Sequence, residues 1–129
     1  IDERFYLLYF YQSSIYELHI MNDQINLING LNTSQILVGL DLGTKTIGVS
    51  VSDTKKIIAT PLTTIERKGT KKDLSKLEEV LNSYEIGGFI LGLPINLDNS
   101  ENKQSQLVRN FNKEIRNFFN LPTEFGMKG

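Results

Sequence analysis

Asp41 is the residue whose type and setting point most directly to chemistry. It is a carboxylate inside the apolar run Ile36-Leu-Val-Gly-Leu-Asp-Leu42, close to Gly39 and Gly43. A buried bare carboxylate is costly unless it is paired or binds a cation. An Asp at a strand end, flanked by glycines that let a ligand come close, suits a Mg²⁺ ligand. The same side chain can instead tie off its own tight turn with Thr44 or Lys45. Local sequence leaves both readings open.

A second element is Gly92-Leu-Pro-Ile-Asn-Leu-Asp-Asn-Ser100, which leaves the carboxyl end of a continuously apolar, strand-like run. Ligands of open α/β sheets gather at such ends. Asn96, Asp98 and Ser100 have the groups to contact a sugar–phosphate backbone, and Asp98-Asn99 equally suits a solvated turn. Lys55, Lys56, Arg67, Lys68, Lys71 and Lys72 form two basic clusters. They fit a phosphate groove or an ordinary solvated face. Phe111, Phe118 and Phe119 recur at helical spacing and are read as core. His19 is assigned no role.

Composition narrows the chemistry. The 129 residues contain no cysteine and one histidine, which excludes disulfides, thiolate zinc sites, cysteine nucleophiles and histidine-rich metal centres. Hydrophobic residues at 40% and charged residues at 22% describe one ordinary globular domain. No stretch approaches the roughly 18 apolar residues of a membrane span, and the front lacks a signal-peptide pattern, so no membrane partner and a cytoplasmic location are expected. Net charge is −1, but residues 1–35 carry −3 and the remainder +2. Mild positive charge permits contact with nucleic acid.

The elements that must position these residues begin at Ile36. Residues 1–35 read differently: Phe5 to Tyr11 is a dense aromatic run and 22–34 is rich in Asn. We read 1–35 as an extension, with Met21 as the expected true start, and 36–129 as the domain. Ile36–Leu42, Thr46–Asp53 and Ile57–Ile65 are strand-like. The second alternates strictly, and Pro61 suits an edge strand or a bulge in the third. Short links make these three an antiparallel meander. Thr70–Glu85 has helical periodicity, with Thr70 and Asp73 as a capping box and Gly87-Gly88 as its stop. Phe89–Ile95 is a strand buried on both faces. Gln104–Asn120 is a second helix, and Thr123-Glu124-Phe125 opens a further strand. Helix-length crossovers place the later strands parallel to the first. The fold class is α/β, a mixed sheet with crossover helices.

Gly39-Leu-Asp-Leu-Gly-Thr-Lys-Thr-Ile-Gly-Val-Ser-Val-Ser-Asp53, then Ala59-Thr-Pro-Leu-Thr-Thr-Ile65, then Ile90-Leu-Gly-Leu-Pro-Ile-Asn-Leu-Asp-Asn-Ser100, in this order and spacing, resemble the YqgF/RuvX family. That resemblance covers Ile36 to Phe125 and implies an RNase H-like fold, incomplete at the C-terminus. Members are regarded as pre-16S rRNA nucleases and as Holliday-junction-resolvase-like. Asn99 replaces the usual Gly, and Asn also tolerates a left-handed backbone. The resemblance implies phosphodiester hydrolysis at three carboxylates holding Mg²⁺, with nucleic acid (pre-rRNA or branched DNA) as partner. Asp41 matches the first carboxylate. Gly43, Thr44, Lys45, Asn96, Asp98 and Ser100 are the candidate substrate contacts.

The other two acids of the family are a Glu within Asp-Glu-Arg after the fifth strand and an Asp on the last helix. Where Phe-x-Asp-Glu-Arg is expected, this chain reads Phe125-Gly-Met-Lys-Gly129. Loss of one T from TTT TGG GAT GAA AGG yields those five residues, so a frameshift is expected there. Asp2-Glu3-Arg4 matches the missing triplet, but Tyr6-Leu-Leu-Tyr does not continue the pattern. With one carboxylate of three, this chain is expected to be inactive. Two other readings are an actin-like nucleotide-binding fragment, because Asp41-Leu-Gly-Thr44 also resembles a phosphate loop, and a non-catalytic nucleic-acid-binding remnant.

Overall fold

A computed structural model describes residues 26–55, 59–98 and 100–128. The aromatic run Phe5–Tyr11, His19, Met21, Lys56, Ile57 and Asn99 lie outside the described residues. The elements run β1 (Ile36–Leu42), β2 (Thr46–Ser52), β3 (Ala59–Glu66), α1 (Thr70–Val80), β4 (Ile86–Pro94), α2 (Lys103–Phe119) and β5 (Thr123–Lys128). The sheet order is β3-β2-β1-β4-β5. The hairpin pairs β1–β2 and β2–β3 are antiparallel, and β1–β4 and β4–β5 are parallel. This is the expected RNase H-like arrangement: a meander, then two strands added through helical crossovers on the edge of β1 opposite β2.

Alternation explains which side of the sheet carries the core. Ile36, Val38, Leu40 and Leu42 of β1 share one face with Ile47 and Val49 of β2 and Phe89, Leu91 and Leu93 of β4. That face packs on Leu74 and Leu77 of α1, on Leu81, and on Val108, Phe111 and Ile115 of α2. Each fully buried side chain of this kind contributes about 1.5–3 kcal/mol of burial free energy. Phe119 leans on Phe89 with ring centroids 4.8 Å apart. Phe111 is core as expected, whereas Phe118 is 40% exposed beside the gap between the two helices.

The central strands are buried on both faces, so the second face needs its own cover. Leu37 and Ile90 pack there with Leu27, and Ile28 and Leu31 add to them. These three residues belong to a short helical turn and its exit within the segment read as an extension.

Pro61 fits both of its expected roles. β3 is an edge strand, and the β2–β3 register shifts between Val49 and Ser50, where Ser50 pairs with Pro61. Three local expectations change. First, α1 ends at Val80, and 81–84 continue as turns closed by Leu81, Asn82 and Tyr84 amides. Asn82 and Ser83 favour turns over helix interiors, while buried Leu81 stays pinned to the core. Second, Thr70 and Asp73 form no capping box: Gly69 is the N-cap, at φ 119°, with no side-chain cap. The box is instead at α2, where Asn102 and Ser105 satisfy each other's backbone amides. Third, Gly87 and Gly88 stop no helix but lie inside β4.

Close approach explains those glycines. A Cβ on Gly88 would stand 2.8 Å from the Pro122 carbonyl oxygen, which is backbone. On Gly87 it would stand 2.5 Å from a terminal methyl of Leu31, which can rotate away. Gly88→Ala is therefore expected to cost about 1–3 kcal/mol, and Gly87→Ala distinctly less. Urea midpoints of the two variants check the order, and equal losses would contradict it.

Candidate active site

Asp41 is the penultimate residue of β1. Its partner in β2 is Gly48, which pairs in turn with Thr64 of β3. One step beyond the Leu40–Leu91 pair, Asp41 comes level with Gly92 of β4, and Gly92 pairs with Gly126 of β5. The carboxylate thus stands in a cross-strand row whose β2, β4 and β5 members are glycines. Leu40 and Leu42 turn into the helical core, so Asp41 lies on the opposite face, half-buried. The glycines contribute no side chains to compete with a ligand for that row.

The turn after Asp41 is closely held. The Gly43 amide donates to the Thr46 carbonyl at 2.8 Å, and the Arg67 amide donates to the Lys45 carbonyl at 2.9 Å. Arg67 Nη1 donates to the Gly43 carbonyl at 3.1 Å, and Gln104 Nε2 donates to the Leu42 carbonyl at 2.9 Å. Thr44 and Lys45 are exposed. Because β1 and β4 are parallel, this turn and the loop after β4 emerge at the same end of the sheet. Gln104, at the start of α2, ties them together.

Asn96, Asp98 and Ser100 are brought to that end, but with their polar atoms engaged inside the loop. Asn96 Nδ2 donates to Ser100 Oγ at 2.9 Å, and Asn102 Nδ2 donates to Asn96 Oδ1 at 3.0 Å. Ser100 donates to Asp98 Oδ1 from both its hydroxyl and its amide, at 2.5 and 2.9 Å. Ser105 Oγ closes on the Pro94 carbonyl. Glu101 forms a two-pronged pair with Arg109, which fastens the loop to α2.

The basic residues divide. Lys55, Lys68, Lys71 and Lys72 are exposed. Arg67 is not: its side chain is 22% exposed, with Nε 3.6 Å from Oδ2 of Asp73, itself 1% exposed. Its guanidinium also stands 5.7 Å from the Phe111 ring centroid. Asp73 Oδ1 accepts the Lys68 amide at 2.8 Å. By sequence alone Arg67 groups with the surface lysines and Asp73 with a helix cap; the one local hint to the contrary is that Arg67 directly follows β3. A cavity of about 700 Å³ lies between α1 and α2, lined by Arg67, Leu74, Leu107, Phe111 and Phe118 among others, on the other side of the sheet from Asp41.

No group of three His, Cys, Asp or Glu residues that would hold a metal ion occurs among the described residues. Asp41 is one carboxylate, and Met127, Lys128 and Gly129 occupy the positions where the Asp-Glu-Arg triplet is expected. The residues described do not fit a two-ion centre.

The Ser100 hydroxyl, then its amide, hold the Asp98 carboxyl below the ordinary aspartate value, and hydrogen bonding from Arg109 does the same for Glu101. A carboxyl lowered by folding keeps its stabilising contacts above its unfolded pKa and loses them as pH falls through the folded one. The Ser100 amide resonance is therefore expected to stay constant through neutral pH. It should move with a midpoint below that of a free aspartate (about 3.9). An NMR pH titration checks this, and a midpoint at or above the free value would contradict it.

Comparison with known proteins agrees with this geometry. The profile of the family described as "RuvX: Holliday junction resolvase" matches residues 35–126, ending just before Met127-Lys128-Gly129. A protein of Rhodobacter capsulatus named "Putative pre-16S rRNA nuclease" is 49% identical over 89 residues, 69% of this chain and 56% of its own length. One of the same name from Cereibacter sphaeroides is 39% identical over 107 residues, covering 82% of this chain and 67% of its own. Among solved structures, a ROK family transcriptional regulator, homologous to the E. coli MLC protein, overlays at a TM-score of 0.50. It shares 14% identity and covers 74% of this chain and 28% of that one, which is a likeness of fold alone. The chain spans about half the length of the first curated relatives it matches. With the family profile spanning well over half of the sequence, and the motifs seated on β1, β2, β3 and the end of β4, this chain belongs to the RuvX family.

Proposed function

We propose that this domain is part of a nuclease that hydrolyses phosphodiester bonds during maturation of pre-16S rRNA. Branched DNA is the second substrate its family description suggests. Asp41 carries the proposal: it is a half-buried carboxylate in a glycine row, at the sheet end where the Gly43–Lys45 turn and the Asn96–Ser100 loop converge. In this reading Asp41 would be one of the ligands of a Mg²⁺ centre, and a cation held there would supply charge neutralisation at a phosphate. Gly43, Thr44 and Lys45 flank the phosphate backbone, and Asn96, Asp98 and Ser100 shape the opposite rim. A pre-rRNA substrate places the work in the cytoplasm.

One carboxylate cannot hold two Mg²⁺ ions, so the 129-residue chain itself is expected to bind RNA without cutting it. The test uses a chimera that continues after Phe125 with the C-terminal part of the R. capsulatus relative. The chimera is expected to cleave an RNA spanning the 5′ end of 16S rRNA in the presence of Mg²⁺. Asp41→Asn in the chimera should lower the rate by at least about 100-fold, as expected for loss of a metal ligand. A four-way DNA junction assayed in parallel separates the two substrates. Cleavage by the 129-residue chain that disappears in Asp41→Asn would overturn the inactivity, and an Asp41→Asn chimera of full activity would overturn the role of Asp41.

A further inference from the structure

We infer that Arg67 is the positioning residue of the site: it sets the Gly43–Thr44 peptide so that the Thr44 N–H is presented to a phosphate oxygen of a nucleic-acid strand. The inference rests on the phosphodiester substrate proposed above. It starts from three carbonyls. Those of Leu42, Gly43 and Lys45 are each taken by a protein donor: Gln104 Nε2, Arg67 Nη1 and the Arg67 amide. In a trans peptide the N–H points away from the C=O, and the described chain has no cis bond. Turning the Gly43 carbonyl toward Arg67 therefore turns the Thr44 N–H away from the protein. Thr44 is exposed, and its N–H has no acceptor among the described residues. The amide before it is closed onto Thr46, so Thr44 is where an incoming oxygen finds a donor, three residues beyond Asp41.

Arg67 is suited to this task and poorly suited to gripping phosphate itself. Its fork is fixed from behind: Nε faces the buried Asp73 carboxylate, the Phe111 ring flanks the guanidinium, and Nη1 is spent on Gly43. The nearby Asp73 charge offsets the cation. Lysine has one point-like ammonium and cannot reach both Gly43 and Asp73 with a rigid fork.

The test compares the 129-residue chain with R67K and R67Q, using a single-stranded RNA oligonucleotide over a range of NaCl concentrations. In the unsubstituted chain, hydrogen exchange should show Gly43 protected and Thr44 exchanging at an open-peptide rate. RNA should shift the Thr44 amide resonance. Both variants should bind RNA about tenfold more weakly, the loss of one hydrogen bond to an ionised oxygen. They should also lose the Thr44 shift and keep the salt slope. If Arg67 instead met phosphate directly, R67K would retain affinity and R67Q would lower the slope by about one; that result overturns the inference. So does a protected Thr44 amide in the unsubstituted chain, a measurement that stands even where a variant does not fold. If the unsubstituted chain binds no RNA, the nucleic-acid reading and the ligand named here both fall. Unchanged affinity in both variants beside normal binding overturns the positioning alone.

Discussion

Parallel pairing of β1 with β4 is the constraint on which the molecule turns. Five register pairs, Ile36–Ile86 through Leu40–Leu91, bring two strands 50 residues apart side by side with both faces covered. Strands that run the same way end at the same edge. Asp41 and the loop after Pro94 are neighbours for that reason. The pairing also forces the chain through α1 between the meander and β4. That crossover supplies Leu74 and Leu77 to the core, and Asp73 to the back of the site.

Two kinds of charge surround this framework, and burial separates them. Lys68 and Glu66 meet at 3.3 Å with both side chains well exposed, which is worth at most about 1 kcal/mol. Asp73 is buried, with Oδ1 on the Lys68 amide and Oδ2 facing Arg67. Removing one partner of a buried pair costs about 3–5 kcal/mol, because the other is left uncompensated. The 22% exposure of the Arg67 side chain reduces that figure without changing its direction. The Arg67–Asp73 contact is thus a structural clamp, while the lysines around it are an adjustable surface.

Membership in the RuvX family and the local chemistry agree up to Gly126 and part after it. Through Gly126 the motifs the family shares set a carboxylate on the central strand, a tight turn beyond it and a polar loop opposite. At 127–128 β5 still pairs with β4, Met127 with Leu93 and Lys128 with Pro94, so the strand is built although the acidic triplet is not. Backbone pairing depends little on side-chain identity at an outer strand, whereas metal binding depends on it entirely.

Much of the fold was legible in the residues themselves. Strict alternation in Thr46–Ser52, the unbroken apolar run before Pro94, the helical spacing of Leu74 and Leu77 and the edge-tolerant Pro61 are local patterns, and a period of 2 or 3.6 needs no distant partner. Asp41 stands out locally as a candidate, because a carboxylate inside an apolar strand is conspicuous on its own. What tertiary structure decided were matters of which side chains meet. Arg67 and Lys68 look alike as adjacent cations, and only closure of the chain puts one against Asp73 and Gly43 while leaving the other in water. Gly87 and Gly88 read as a helix stop until Leu31 and the Pro122 carbonyl are seen crowding them. Residues 26–31 have no strong period, yet Leu27 covers Leu37 and Ile90. Local sequence dictates dihedral preferences and periodicity. Burial and partner identity depend on segments tens of residues away, and so they arise only when the sheet closes.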